Sequence, residues 1–176
     1  MNVHSVIQTR PFRFVLYRNI VRALLLAAAM ALVSACAADA VKTVKAKSEI
    51  SAVEKLNPDY QGRPSPVKII VFQLSSADAF ENEDFLKIFE PEASVLGGDM
   101  LVRTEMLLQP GESRQWEPEL NEETRFFGAV AAFRDIENAQ WRAMVALPEQ
   151  ELIGQFFEKN KLKITVDTLA VSVSTE

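Results

Sequence analysis

The chemistry this chain can do begins with one sulfur. Cys36 is the only cysteine in 176 residues, and it closes the run Leu32-Val33-Ser34-Ala35-Cys36. A thiol is the nucleophile that can take an acyl lipid, and small side chains in front of it let a signal peptidase approach the backbone closely. Upstream stand Arg10, Arg13, Arg18 and Arg22 with no acidic residue among them, followed by an uncharged stretch from Ala23 to Cys36. A basic region, an apolar region and small residues, in that order, make a secretory signal.

The five residues ending in Cys36 resemble a bacterial lipobox, which makes residues 1–35 a lipoprotein signal peptide and Cys36 the first residue of the mature chain and its point of lipid attachment. Two other readings fail. A membrane-spanning helix needs about 20 apolar residues, and Ala23 to Val33 supplies eleven. A buried core cysteine is common in general, but this one follows a signal sequence. One acyl chain binds a membrane marginally and two or more hold it stably. In lipoproteins of this kind an aspartate directly after the cysteine favours inner-membrane retention. Here that position is Ala37, with Asp39 further along, so the expected address is the periplasmic face of the outer membrane.

Little other chemistry is available. The single histidine, His4, lies in the signal region. The mature chain therefore lacks the usual general base, the commonest zinc ligand and any Ser-His or Cys-His pair. Glu81, Glu83 and Asp84, and further on Glu117, Glu119, Glu122 and Glu123, are carboxylate runs without calcium-loop spacing, so they read as solvated faces rather than a catalytic pair or a metal site. Ser113 has no nucleophile-elbow context. Trp116 and Trp141 read as core or rim residues, and Arg134 and Arg142 as local ion-pair partners of Asp135 and Glu137. No catalytic residue, metal site or cofactor is expected beyond the lipid on Cys36. Without the signal, residues 36–176 carry 15 cations against 24 acids, a net charge of −9. Such a chain repels nucleic acid. With no second thiol there is no disulfide, so stability rests on core burial, which one domain of this size can provide.

The elements follow from periodicity. Residues 36–42 read as the lipidated N-terminus and a tether, and 43–176 as one domain. Apolar residues alternate with polar ones over Thr43 to Glu54, the period of a half-buried strand. Leu56 to Pro66 then breaks the pattern with three prolines and a glycine. Val67 to Leu74 is nearly continuous in apolar, β-branched residues, as a central strand would be. A helix over about 77–89, capped by Ser75 or Ser76, puts Phe85 and Phe89 on one face. Further strands are expected over 101–108, 114–117, 124–133 and 140–147, with a polar hairpin connection at 134–138. Over 148–160, Leu152, Ile153, Phe156 and Phe157 fit a short helix and Gly154 opposes it, which leaves the segment open. Lys161 to Thr175 reads as one long strand with a bulge near Thr168 and Leu169. About seven strands and one helix make an all-β protein, an antiparallel β-sandwich.

Several stretches, in this order, carry a resemblance: Leu56-Asn57-Pro58-Asp59, Gly62 to Val67, Phe72-Gln73-Leu74, Phe80, Asp84-Phe85, Leu96-Gly97-Gly98-Asp99, Pro110-Gly111-Glu112, Phe127 to Asp135 and Trp141-Arg142. Together with the lipobox they resemble the TssJ family, outer-membrane lipoproteins of the type VI secretion system, over about residues 32–147. The resemblance implies a transthyretin-like sandwich with an added helix and a protruding loop between its first two strands. It also implies that this loop contacts the periplasmic domain of TssM, with TssL in the same envelope-spanning complex. By position the loop is Asn57, Pro58, Asp59, Tyr60, Gln61, Gly62, Arg63, Pro64, Ser65 and Pro66. Proline limits the entropy lost on docking, and tyrosine and arginine are favoured at interface hot spots. The competing expectation is a free-standing periplasmic lipoprotein that binds a small ligand or assists envelope assembly, with the sandwich as scaffold.

Overall fold

The computed structural model of the chain describes residues 43–176 apart from 92 and 93, and upstream residues 17, 21 and 22; of 150 and 151 only the backbone is described. Apart from those three residues, the expected signal peptide, Cys36 and the expected tether lie outside the described residues. In chain order the elements are β1 (Thr43–Lys45), β2 (Ser48–Ala52), β3 (Val67–Leu74), two short helices α1 (Asp78–Asn82) and α2 (Phe85–Phe89), a 3-10 helix (Ser94–Asp99), β4 (Met100–Leu108), β5 (Ser113–Trp116), β6 (Glu119–Asn121), β7 (Phe126–Ala131), β8 (Arg142–Ala146), α3 (Gln150–Lys159), β9 (Leu162–Val166) and β10 (Val171–Thr175).

The frame is set by β3, whose sequence leaves it no polar face. One side, Val67, Ile69 and Val71, packs into the core between two sheets, and the other, Ile70, Phe72 and Leu74, packs under helices. It therefore sits inside its sheet, in the order β4-β3-β7-β8. The facing sheet runs β10-β9-β2-β5, and a separate ribbon pairs β1 with β6. All pairings are antiparallel except β2 with β9, which run parallel from Ser48↔Leu162 to Ala52↔Val166. Ile50, Phe127, Ala129, Leu162, Ile164 and Val166 fill the space between the sheets. Phe80, Ile88 and Leu96 cover the outer face of β3 and β7. The result is a β-sandwich with one added helical layer, as expected.

The helical segment at 77–89 is present, in two pieces. Arg142 explains the break: its Nη1 donates to the carbonyls of Phe80 at 3.0 Å and Glu83 at 2.8 Å, satisfying acceptors left at the end of α1. This guanidinium, which also lies 4.7 Å from the Trp141 ring centroid, is thus a helix terminator and not the local ion-pair partner expected of it. No serine side chain caps α1 in the standard way; Ala77 is its N-cap, and Ser76 Oγ accepts from the Asp78 N–H at 3.4 Å. Phe85 and Phe89 do share a face, stacked at 5.0 Å, and Phe85 meets Trp141 edge-on at 5.3 Å. Beneath α1, Gly128 is needed because a Cβ there would stand 2.8 Å from Phe80 Cζ.

Three further features depart from the periodicity. The first expected strand divides at Ala46 and Lys47 into β1 and β2, which serve different sheets, and the unforeseen β6 accepts β1. The last expected strand is a hairpin, not a bulged strand. Asp167 turns the chain, its N–H donating to Ala170 O at 2.7 Å and its Oδ1 accepting from the Thr168 N–H at 2.6 Å, so that Val171 pairs with Val166. The open segment at 148–160 is helical: Ile153 and Phe157, four apart, are both buried. That burial outweighs Gly154, which costs about 1 kcal/mol against alanine.

The domain has two distinct ends. At the Val67 end of β3 lie the 57–66 loop, the 132–141 turn and the 167–170 turn, linked by hydrogen bonds. At the Leu74 end, buried Gln73 donates through Nε2 to Glu119 O at 2.9 Å, while its Oε1 accepts from the Asn121 N–H at 2.8 Å and the Thr124 hydroxyl at 3.0 Å. Gln73 thereby holds β6, and β6 holds β1, where the chain arrives from the tether. Eight strand residues separate these ends by about 25 Å. Gln73→Leu removes three hydrogen bonds and leaves the buried Thr124 hydroxyl without this partner, and urea unfolding is expected to show a loss of about 1–3 kcal/mol; an unchanged midpoint would contradict this account of the β1 and β6 attachment.

Candidate functional site

The chain leaves β2 at Ala52 and is pinned by Leu56, which is fully buried. Asn57, 3% exposed, follows with a positive φ of 43°. Asparagine tolerates this left-handed conformation better than most side-chain-bearing residues, and here both ends of its amide are engaged. Nδ2 donates to Pro66 O at 2.8 Å, closing the base of the loop, and Oδ1 accepts the Arg134 N–H at 2.8 Å. Its own N–H donates to Thr168 O at 3.0 Å. The Ser65 N–H donates to Leu56 O at 2.9 Å beside it. One residue thus joins the loop to two distant turns.

Beyond this base the loop is a miniature hairpin. The Asp59 N–H donates to Arg63 O at 2.9 Å, and the Gly62 N–H to Asp59 O at 2.8 Å, with Gly62 at φ 77°. Asp59 Oδ1 accepts the N–H groups of Gln61 at 2.9 Å and Arg63 at 3.0 Å, an Asx-type turn. Its Oδ2 accepts from Arg63 Nε and Nη2, each at 2.7 Å. The Arg63 guanidinium, then the Arg63 and Gln61 amides, with the charge of Arg134 adding to them, hold the Asp59 carboxyl below the usual carboxylate range. At the tip Tyr60 is 92% exposed, touched by Gln61 Nε2, which donates to its hydroxyl at 3.3 Å.

The residues named from sequence thus divide in two. Asn57 and Ser65 are buried and hold the loop, whereas Tyr60, Gln61, Gly62, Arg63, Pro64 and Pro66 are exposed, with Pro58 and Asp59 half-buried between them. Arg63 is exposed but committed to Asp59, so its guanidinium braces the loop. Sequence reading missed Arg134, Thr168 and Leu169 as neighbours of this loop, because 77 residues separate Arg134 from Asn57 and no local spacing signals such a contact. Among the described residues no three metal-ligating side chains gather, and Glu83 of the first carboxylate run pairs with Lys87 at 2.8 Å. Trp116 and Trp141 are half-buried against the core, as expected. No helix among the described residues is long and apolar enough to cross a membrane.

A carboxylate whose pKa is lowered by folding exerts its hold above its ordinary pKa and loses it only as pH falls through the lowered value. The loop geometry is therefore expected to stay constant from neutral pH down through the ordinary aspartate range near about 4. The Gln61 and Arg63 amide resonances should shift only below that range, and an NMR titration with a midpoint at or above it would contradict the bracing role given to Arg63.

Comparison with known proteins agrees with this architecture. A family model described as Type VI secretion lipoprotein, VasD, EvfM, TssJ matches residues 44–169. Among solved structures, the type VI lipoprotein TssJ1 from Pseudomonas aeruginosa is 31% identical, with a TM-score of 0.68 over 77% of this chain and 98% of that one. Serratia marcescens Lip, described as a membrane-bound component of the type VI secretion system, is 21% identical, with a TM-score of 0.66 over 77% of this chain and 99% of that one. A chain in a structure described as a type VI membrane complex is 24% identical, with a TM-score of 0.62 over 77% of this chain and 99% of that one. These last two show the same fold. A search of curated protein sequences finds no match. With a family model spanning most of the domain and a relative at 31% identity, the chain belongs to the type VI secretion lipoproteins.

Proposed function

We propose that this lipoprotein is anchored by an acylated Cys36 to the periplasmic face of the outer membrane. From there the Asn57–Pro66 loop docks the periplasmic domain of TssM, with TssL in the same membrane complex. The observation that carries this reading is the separation of the two ends. The tether enters at β1, and the braced loop with its exposed tyrosine stands at the other end of β3. A part that must hold a membrane and a partner at once needs its two attachments apart. Turnover is not required of it, and the family itself is one of secretion-system lipoproteins.

Two outcomes test the reading. Cys36→Ser is expected to remove membrane attachment and abolish secretion while leaving the fold and partner binding unchanged; secretion by this variant would refute the anchor. Tyr60→Ala should weaken binding to the TssM periplasmic domain about tenfold or more, as hot-spot tyrosines do, with no change in melting temperature, because the side chain is 92% exposed. A calorimetric titration with unaltered affinity would count against the loop. Arg63→Ala is the less specific variant, since it also releases Asp59.

A further inference from the structure

The loop does not stand alone at its end of the sandwich. Asn57 fixes it to the 134–138 turn through the Arg134 N–H and to the 167–170 turn through Thr168 O. The Gln140 N–H donates to Leu169 O at 2.9 Å, so the two turns are also fixed to each other. Between the three segments lies an open groove of ≈ 530 Å³, lined by Pro58, Asp59, Tyr60, Arg134, Asp135 and Leu169.

The charges in this groove nearly cancel. Asp59 is neutralised by Arg63, and Asp135 accepts from Asn138 Nδ2 at 2.9 and 3.1 Å. The Arg134 side chain makes no hydrogen bond or ion pair among the described residues, although its charge acts on the Asp59 carboxyl from across the groove. What remains is one guanidinium and one carboxylate flanking an apolar strip made by the Tyr60 ring, Pro58 and Leu169. A neutral groove of this kind has nothing to select a nucleic acid or an anionic surface. It matches the anatomy of a protein interface, with an apolar centre and a polar rim.

We propose that the docking surface is composite: the groove seats an apolar side chain of the partner protein between Tyr60 and Leu169, with Arg134 and Asp135 as its rim. This rests on the docking role proposed for the loop, and it adds residues from two other turns to that surface. The hydrogen bonds through Asn57 give the surface its purpose-built character, since the three segments are already fixed relative to one another and little order is lost on binding. A neutral contact also implies that affinity changes little with ionic strength.

The test is a calorimetric titration of the lipidated full chain, in detergent, with the TssM periplasmic domain at low and high salt. Leu169→Ala is expected to weaken binding about tenfold and Arg134→Ala about threefold, within the range of interface truncations. Leu169→Met should retain near-native affinity, separating apolar contact from any effect on folding. Loss of affinity on Tyr60→Ala with wild-type affinity for both Leu169→Ala and Arg134→Ala would overturn the composite surface while sparing the loop. Wild-type affinity for all three variants would sink the loop reading and this one together. A steep fall in affinity with salt would also overturn it, since it would mean that charge and not an apolar anchor drives docking.

Discussion

The amide of Asn57 is the constraint on which the loop end of this domain depends. A buried amide without partners costs about 1–3 kcal/mol per lost bond, so its geometry is enforced by the energy of leaving it. Here both ends of the amide are engaged, by Pro66 O at the far end of the loop and by the Arg134 N–H from a distant turn, and both partners are main-chain groups. That choice matters because main-chain partners cannot rotate away. The base of the loop is consequently positioned by the backbone of the fold, Arg63 braces its tip through Asp59, and the Tyr60 ring, 92% exposed, is left facing solvent.

A second buried amide does the same work at the other end. Gln73 lies near the far end of β3 and ties down β6, hence β1, hence the point at which the chain enters the domain. β3 itself is packed on both faces and bonded on both edges. It behaves as a strut with a polar clamp near each end, and the distance between clamps, about 25 Å, is set by strand length. The acidic excess fits this arrangement, since net charge favours solubility.

How far the sequence disclosed this varies with the range of the interaction. β3 was legible to the residue, because a short, nearly apolar run rich in β-branched residues and preceded by prolines suits a central strand. The 56–66 break was legible from its prolines, and so was the shared face of Phe85 and Phe89 from their spacing. What stayed hidden was long-range or ambiguous in phase. A reversal at Asp167–Ala170 and a bulge shift alternation alike, and no glycine or proline marks this turn. The parallel pairing of β2 with β9 joins segments more than 100 residues apart. Arg142 looked like a partner for nearby carboxylates, but carbonyls at the end of α1, about 60 residues upstream, claim it. Asn57 was singled out with its loop, yet its role as keystone could not be read without knowing where Arg134 lies.

The Asp59–Arg63 pair bears on the docking role proposed for the loop, because it imposes order while adding little stability. Solvent screens ion pairs at the surface, and although the Asp59 side chain is only 12% exposed that of Arg63 is 68% exposed, so the pair adds little to the fold as a whole. The same is true of a positive φ at Gly62 and an Asx turn on the surface, which fix local shape without adding core burial. Their common effect is to restrict a solvent-facing segment of about ten residues to one conformation, with an aromatic ring held out in water. Conformational entropy surrendered during folding need not be surrendered again on association. A loop that served only to connect β2 to β3 would gain nothing from that restriction, whereas a loop that presents Tyr60 to a partner gains affinity from every degree of freedom already lost.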